Sequence, residues 1–264
     1  MSRKRLQPHL IALEKRLRQC PQVITLGVRP NFDDYDDRAK TLIRNASKIY
    51  YPSAFYAELL DAMGKATFPS YHTYKFAQDK IKQTALFKLA KIPHPRTRVF
   101  FGPRQKSRIT RYFEFPFIAK IPRGSAMGRG VYLIQNAAEL ADYCTVKGPA
   151  YIQEYLPIDR DMRVVVIGGQ VVHAYWRIAS AGEYRTNVAA GGRIELGDVP
   201  PGALRLACET AKRCGWDDAG IDICVHQGAF YVLEGNMKYG REGFRQAGLD
   251  YQQVMSDLIC KGVI

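Results

Sequence analysis

No C-x-x-C pair and no repeated spacing occurs among the six cysteines at positions 20, 144, 208, 214, 224 and 260. That pattern excludes a zinc knuckle or a secreted disulfide framework and reads as reduced thiols in a cytoplasmic protein. Nowhere do about 18 apolar residues run together, so no membrane span is expected. The basic start (Arg3, Lys4, Arg5) lacks the apolar stretch of a signal peptide. There is no G-x-S-x-G elbow, no H-E-x-x-H and no aromatic RNA-binding signature. The five histidines (9, 72, 94, 173, 226) are scattered, and His173, on an apolar strand, reads as a satisfied interior residue. Acidic residues are scarce: 25 Asp and Glu stand against 39 Lys and Arg, a net charge of +14. Such a surface attracts anions, whether nucleotide, nucleic acid, anionic lipid or small acidic substrate. What is present is ordinary globular material, 47% hydrophobic and 24% charged, which excludes a disordered, collagen-like or coiled-coil chain. A chain of 264 residues has length for roughly two domains and a sizeable core.

Leu6, Leu10, Leu13 and Leu17 fall on one stripe and predict an amphipathic helix over 3–18 with basic residues around it. It reads as a helix docked on the body or as a contact with a polyanion or anionic membrane. A strand over 23–28, an acidic loop (Asp33, Asp34, Asp36, Asp37) without calcium-loop spacing, and a helix–strand–helix stretch follow, making a small α/β unit. Residues 76–91 predict a helix with Ile81, Ala85, Leu86 and Leu89 inward, ended by Pro93 and Pro95. Strands over 97–101 and 117–121 flank a basic loop (Arg104, Lys106, Arg108, Arg111). Later come a hairpin across Gly168-Gly169, a helix over 204–214, a hairpin across 226–229 and a terminal helix over 251–260.

Between two of these strands lies Gly124-Ser125-Ala-Met-Gly128-Arg-Gly130. It lacks the Lys-Ser/Thr and following helix of a Walker A loop and the third glycine of a dinucleotide fingerprint. What remains is a hairpin tip, either an ordinary turn or a backbone cradle for phosphates. Lys80 and Lys120 frame it and could supply fixed positive charge.

The sharpest local signal is a pair of strands, Gly220-Ile-Asp222-Ile-Cys-Val225 and Tyr231-Val-Leu-Glu234-Gly-Asn236. Alternation puts Glu234 and Asn236 on one face, and antiparallel pairing could bring Asp222 to them. Two carboxylates and an amide suit Mg²⁺, which takes hard oxygens and leaves room for water and phosphate. The alternative is edge carboxylates facing water, against which the apolar flanks argue. Arg163, Arg177, Arg185 and Asn187 lie in sequence between the glycine turn and this hairpin, and guanidinium forks suit phosphate and carboxylate oxygens.

The ordered set resembles the ATP-grasp superfamily, most closely its RimK-type amino-acid ligases, over about residues 70–260. The resemblance rests on Asp79-Lys80 with the Ile92-Pro93 exit, Lys120, the 124–130 turn and Gln153-Glu154-Tyr155-Leu156. It continues through Asp161-Met162-Arg163, Arg185-Thr186-Asn187 before Gly191-Gly192, Ala219-Gly220-Ile221-Asp222 and Glu234-Gly235-Asn236. It implies an α+β fold in which two lobes (76–152 and 153–264) clamp ATP after a short α/β unit (1–75). It further implies that Lys80, Lys120, Gly124, Ser125, Gly128 and Gly130 hold phosphates. Gln153, Glu154, Tyr155 and Leu156 would meet adenine, and Asp161 would lie near the ribose. Asp222, Glu234 and Asn236 would bind Mg²⁺ or Mn²⁺, two ions in all, while Arg163, Arg177, Arg185 and Asn187 face the transferring phosphoryl group and the acid. The implied activity is amide formation between a carboxylate and an amine (amino acid, peptide or carrier protein) through an acyl phosphate, with a homo-oligomer possible. A kinase-like ATP-grasp reaction and a basic nucleic-acid or polyanion binder are the alternatives. The chain departs from the family pattern at Met237-Lys238-Tyr239-Gly240 and at Ala189-Ala190, where Lys238 and Arg241 replace the usual substrate contacts or the acceptor differs.

Overall fold

A computed structural model describes residues 10–76, 79–124, 130–145, 147–186, 188 and 191–264. Three sheets organise them. The first is parallel, in the order β2-β1-β3-β4, from β1 (Leu10–Ala12), β2 (Val23–Thr25), β3 (Lys48–Tyr50) and β4 (Ala66–Phe68). Its helices are α1 (Asp37–Asn45) and α2 (Ser53–Ala62). Asp36 caps α1 by accepting the Ala39 N–H at 2.7 Å, and Ala39 and Ile43, one turn apart, are buried.

The helix expected over 3–18 is not what forms. Residues 3–9 lie outside the described residues, Leu10–Ala12 is a strand and Lys15–Leu17 a single 3-10 turn. β1 sits between two parallel neighbours, and a strand covered on both faces wants an unbroken apolar run. Leu10-Ile11-Ala12-Leu13 provides it, and that demand overrides the leucine spacing.

The second sheet is antiparallel, in the order β5-β8-β6-β7, from β5 (Thr97–Phe100), β6 (Phe117–Lys120), β7 (Val131–Ile134) and β8 (Ala150–Glu154). Helices α5 (Gly102–Lys106) and α6 (Ala137–Cys144) accompany it. Phe117 and Ala119 join Phe100, Ile109, Ile134 and Ile152 in its core. Alternation therefore turns Ile118 and Lys120 to the opposite face.

The third sheet, β11-β10-β9-β12-β13, is built from β9 (Arg160–Ile167), β10 (Gln170–Ile178), β11 (Arg193–Glu195), β12 (Asp218–His226) and β13 (Ala229–Asn236). Gly168 and Gly169 turn the β9–β10 hairpin at φ +58° and +80°, a left-handed pair suited to a two-residue loop. Helix α7 (Pro201–Cys214) lays Ala203, Ala207 and Ala211 on this sheet, against Val164, Val166 and Ile221 among others. Two short helices before the second sheet, α3 (Tyr71–Phe76) and α4 (Lys80–Leu89), and two after the third, α8 (Glu242–Gln246) and α9 (Tyr251–Cys260), complete the chain.

α4 connects the second and third sheets. Its first N–H donates to Pro122 O at 3.0 Å, beside β6, while Phe87 packs edge-on against Trp216 in the core under α7. The buried face of α4 is Gln83, Thr84 and Phe87, not the expected one: Ala85 and Leu89 are exposed. Gln83 decides the rotation. Its side-chain amide donates to Gly235 O (2.8 Å) and accepts from Gly235 N (3.0 Å), standing in for a strand neighbour along the edge of β13.

Candidate active site

The faces of the second and third sheets enclose a cleft, the kind of concave, mixed apolar and polar hollow in which small molecules bind. Its apolar walls are Ile118 and Val131 on one side and Leu233 on the other, with Pro95 and Ile158 at the margin. Its polar lining includes Lys80, Lys120, Asp161, Arg177, Arg185, Asp222 and Glu234.

At the carboxylate end, β12 and β13 pair with a break in register: Asp222 faces Glu234, but Ile223 faces Val232. Leu233 is the extra residue of a bulge, which lets consecutive residues of one strand serve a site. Val232 points to the core, fully buried, while Leu233 and Glu234 both line the cleft. Asn236 Nδ2 donates to Asp222 Oδ2 at 3.2 Å and to Glu234 Oε1 at 3.0 Å. The three groups thus converge, with an amide N–H bridging the carboxylates where a cation would bridge them.

Lysines face this end from the other elements. Lys80 Nζ stands 3.7 Å from Glu234 Oε2. Burial works to raise the Glu234 carboxyl, but Lys80 and Lys120 prevail and hold it at about 2. Burial is the main cause that lowers the Lys120 ammonium below its ordinary value; Glu234 opposes it and Lys80 adds to it.

The arginines make a buried lattice. Arg163 grips Asp222 with Nε and, at 3.0 Å, with Nη2, while its Nη1 donates to Tyr239 O at 3.0 Å. Arg177 holds Asp161 with Nε (2.7 Å) and Nη2 (2.6 Å), and its Nη2 also lies 2.9 Å from Asp222 Oδ2. Thr186 Oγ1 donates to Asp161 Oδ2 at 2.7 Å. Both guanidiniums are thus engaged by carboxylates rather than open to an incoming group. Arg185 lines the cleft and pairs with Glu183 at 2.6 Å.

Gln153 and Glu154 end β8. Gln153 Nε2 donates to Thr97 Oγ1 at 3.0 Å, and Glu154 accepts the Arg96 N–H. Tyr155 and Leu156 follow along the cleft, and among the described residues their backbone groups make no backbone hydrogen bond. In the glycine turn, Gly124 and Gly130 have φ +67° and +70°, and Ile121 N donates to Gly130 O at 2.7 Å across its neck. A Cβ on Gly130 would stand 2.9 Å from Ile121 Cβ. Ser125, Gly128 and Asn187 lie outside the described residues.

Lys238 and Arg241 are not part of the cleft lining. Both are exposed, and Arg241 stacks on Tyr251 with 4.3 Å to the ring centroid. His173 lies half-buried against the Tyr175 and Phe244 rings, and its Nε2 has no hydrogen-bond partner among the described residues. Sequence reasoning missed the apolar walls and Tyr184, whose hydroxyl donates to Val131 O at 3.0 Å and so joins the loop after β10 to the second sheet. Ile118 alone had a readable signal: it shares a strand face with Lys120.

The donors suit magnesium. Among the described residues no three His, Cys, Asp or Glu side chains gather as a metal site; the set is two carboxylates and one amide, what Mg²⁺ accepts when phosphate oxygens complete its shell. Glu234 can serve as it stands, whereas Asn236 has to turn its amide so that Oδ1 takes the place of Nδ2 between the carboxylates. Asp222 spends its oxygens on Arg163, Arg177 and Asn236, so an ion there displaces one of them.

A family model for the RimK-like ATP-grasp domain matches residues 77–259. The chain belongs to the RimK-like ATP-grasp family. This RimK-like chain is 31% identical over 194 residues to "Probable alpha-L-glutamate ligase" of Parasynechococcus marenigrum, a match covering 71% of this chain and 41% of the relative. It is 30% identical over 227 residues to "Probable alpha-L-glutamate ligase 2" of Pseudoalteromonas atlantica, covering 82% and 74%. The chain therefore spans less than half the length of the first relative and about three quarters of the second. In fold it matches the ATP-grasp ligase PsnB, solved with precursor peptide PsnA2 and AMPPNP, at a TM-score of 0.71 and 19% identity, over 98% of this chain and 99% of that one. The architecture is the α+β ATP-grasp fold.

Proposed function

We propose that this RimK-like chain is a cytoplasmic ATP-dependent ligase joining a carboxylate to an amine, with residues 76–152 and 153–264 as its two clamping lobes after a short unit over 1–75. The observation that carries the reading is Asp222 and Glu234, tied together by Asn236, sharing one cleft with Lys80 and Lys120. Two carboxylates repel a polyphosphate unless a divalent cation intervenes, and two lysines neutralise what the cation does not. When bound, ATP with two Mg²⁺ or Mn²⁺ ions supplies a phosphoryl group that activates the acid as an acyl phosphate, from which the amine displaces phosphate. The chain's own part is to bind and orient. Ile118 and Leu233 clamp the base, and the unbonded backbone at Tyr155 and Leu156 meets its edge. Asp161 is fixed by Arg177 near the ribose, and Lys80 and Lys120 hold phosphate oxygens. Arg163 keeps Asp222 aimed, and Arg185 turns from Glu183 toward the developing charge. The acceptor is an amino acid, a peptide or a carrier protein.

The test pairs candidate acids with candidate amines, acidic amino acids and peptides first, and follows ADP release. The reading predicts release that needs both partners. Release that needs no amine and leaves a stable phosphorylated product would make the protein an ATP-grasp kinase instead.

A further inference from the structure

The face of the second sheet turned away from the cleft carries charge that the nucleotide cannot use. Between Arg96 and Arg111 the chain has six cations and no acid. Arg104, Arg108 and Arg111 are exposed, and no carboxylate among the described residues pairs with them. Phe117 and Ala119 point toward this side and are buried beneath it, whereas Ile118 and Lys120 point to the cleft. A packed layer thus separates these arginines from the phosphates.

The same face holds a groove between α5 and α6. Its lining is largely aliphatic, with Pro103, Ile109, Leu140 and Ala141 among its walls, and Lys106 and Lys147 at its edge. Lys106 Nζ donates to Cys144 O at 3.1 Å and so fixes the two helices to each other. Of the two acids on α6, Glu139 is tied into the helix cap by the Gln135 N–H (2.8 Å) and Asn136 (2.9 Å), and neither it nor Asp142 lines the groove.

We propose that this groove docks an acidic peptide segment of the acceptor, with an aliphatic side chain seated between α5 and α6 and flanking carboxylates on Arg104, Arg108 and Arg111. The inference rests on the ligase reading and deepens it, naming a carboxylate-rich polypeptide as the acceptor class. A peptide suits the groove better than a nucleic acid, because the lining offers no aromatic face for a base. Nearby Tyr112 is already covered by Arg98, 3.7 Å from the ring centroid.

The experiment is fluorescence anisotropy with a labelled peptide of eight glutamates interrupted by one leucine, using the full chain and no turnover. Wild-type protein binds it with an affinity that falls steeply with salt. The triple reversal Arg104→Glu, Arg108→Glu and Arg111→Glu weakens binding by about tenfold or more. Ala141→Trp, which fills the groove without touching a charge, weakens it as well. Mg²⁺–nucleotide affinity, measured in parallel, is unchanged in both variants, which shows that they fold and separates this proposal from the ligase reading. Unchanged peptide affinity in the triple variant overturns the proposal. So does a single-stranded RNA that displaces the peptide and binds more tightly through the same arginines, which would make the face a nucleic-acid site.

Discussion

Gly220 leaves room where Arg163 and Tyr239 approach β12 two residues before Asp222. A Cβ there would lie 2.5 Å from Tyr239 Cβ and 2.8 Å from Arg163 Cδ, and a Cβ is not the loose end of a side chain that can swing away. Gly220→Ala is therefore expected to cost about 1–3 kcal/mol in urea denaturation, the range for overpacking. It should also weaken Mg²⁺–nucleotide binding, because Arg163 can no longer hold Asp222 in place. Equal nucleotide affinity in the folded variant would show that the grip of Arg163 on Asp222 is dispensable. At this scale the sequence was informative where residue type betrays chemistry. An aspartate flanked by isoleucines, or Glu-Gly-Asn closing an apolar strand, stands out from its neighbours. Ile118, Val131 and Leu233 do not, because a cleft wall and a core position draw on the same side chains, and only the bulge turns Leu233 outward.

Elements were legible when one local force dominated and less so when a distant partner chose. Tyr251–Cys260 forms as its pattern predicts, and Asp250 caps it by accepting the Gln252 N–H at 2.8 Å. α4 rotates toward a backbone edge 152 residues away, which periodicity cannot reveal. Gln83→Leu keeps the volume but strips both bonds from Gly235, leaving a buried N–H and C=O unpaired. The expected loss is about 1–3 kcal/mol for each unpaired group by denaturant titration, whereas a fall under about 0.5 kcal/mol would mean that the bracket contributes little.

A second element-level prediction concerns pH. Asp217 joins the start of β12 to the segment before α3, accepting the Ser70 N–H (2.9 Å) and the Thr73 hydroxyl (2.9 Å). Burial nonetheless lifts its carboxyl above the ordinary value of 3.8. A folded pKa above the unfolded one gives stability that is full below about 3.8 and lost as pH rises through the folded value. Asp217→Asn should remove that downward slope from a profile of stability against pH, and a slope that persists in the variant would assign it to another group.

For the whole molecule, the N-terminal sheet does not stand apart. One core gathers Ala12, Leu17, Tyr50 and Phe68 with Val165 and Ile167 of β9 and Met255 and Leu258 of α9. Buried Asp218 accepts hydroxyls from Tyr51 (2.8 Å) and Tyr239 (2.7 Å) and faces Arg16 at 3.4 Å. The two-lobed ATP-grasp plan was readable from a series of short motifs in order. The joining of the first sheet to the third was not, since its contacts are long-range and made of ordinary core residues. Among the described residues no helix is long and apolar enough to cross a membrane.

The account turns on a cleft that takes up a nucleotide through a cation held by Asp222, Glu234 and Asn236. Isothermal titration calorimetry with a non-hydrolysable ATP analogue tests it most directly. It should detect one nucleotide bound per chain with Mg²⁺ present, affinity reduced about tenfold or more when Mg²⁺ is withheld, and the magnesium effect abolished by Glu234→Gln, consistent with one lost charged contact of about 1.5–3 kcal/mol. No uptake by wild-type protein with magnesium, or the same affinity in Glu234→Gln with its magnesium dependence intact, would contradict the account.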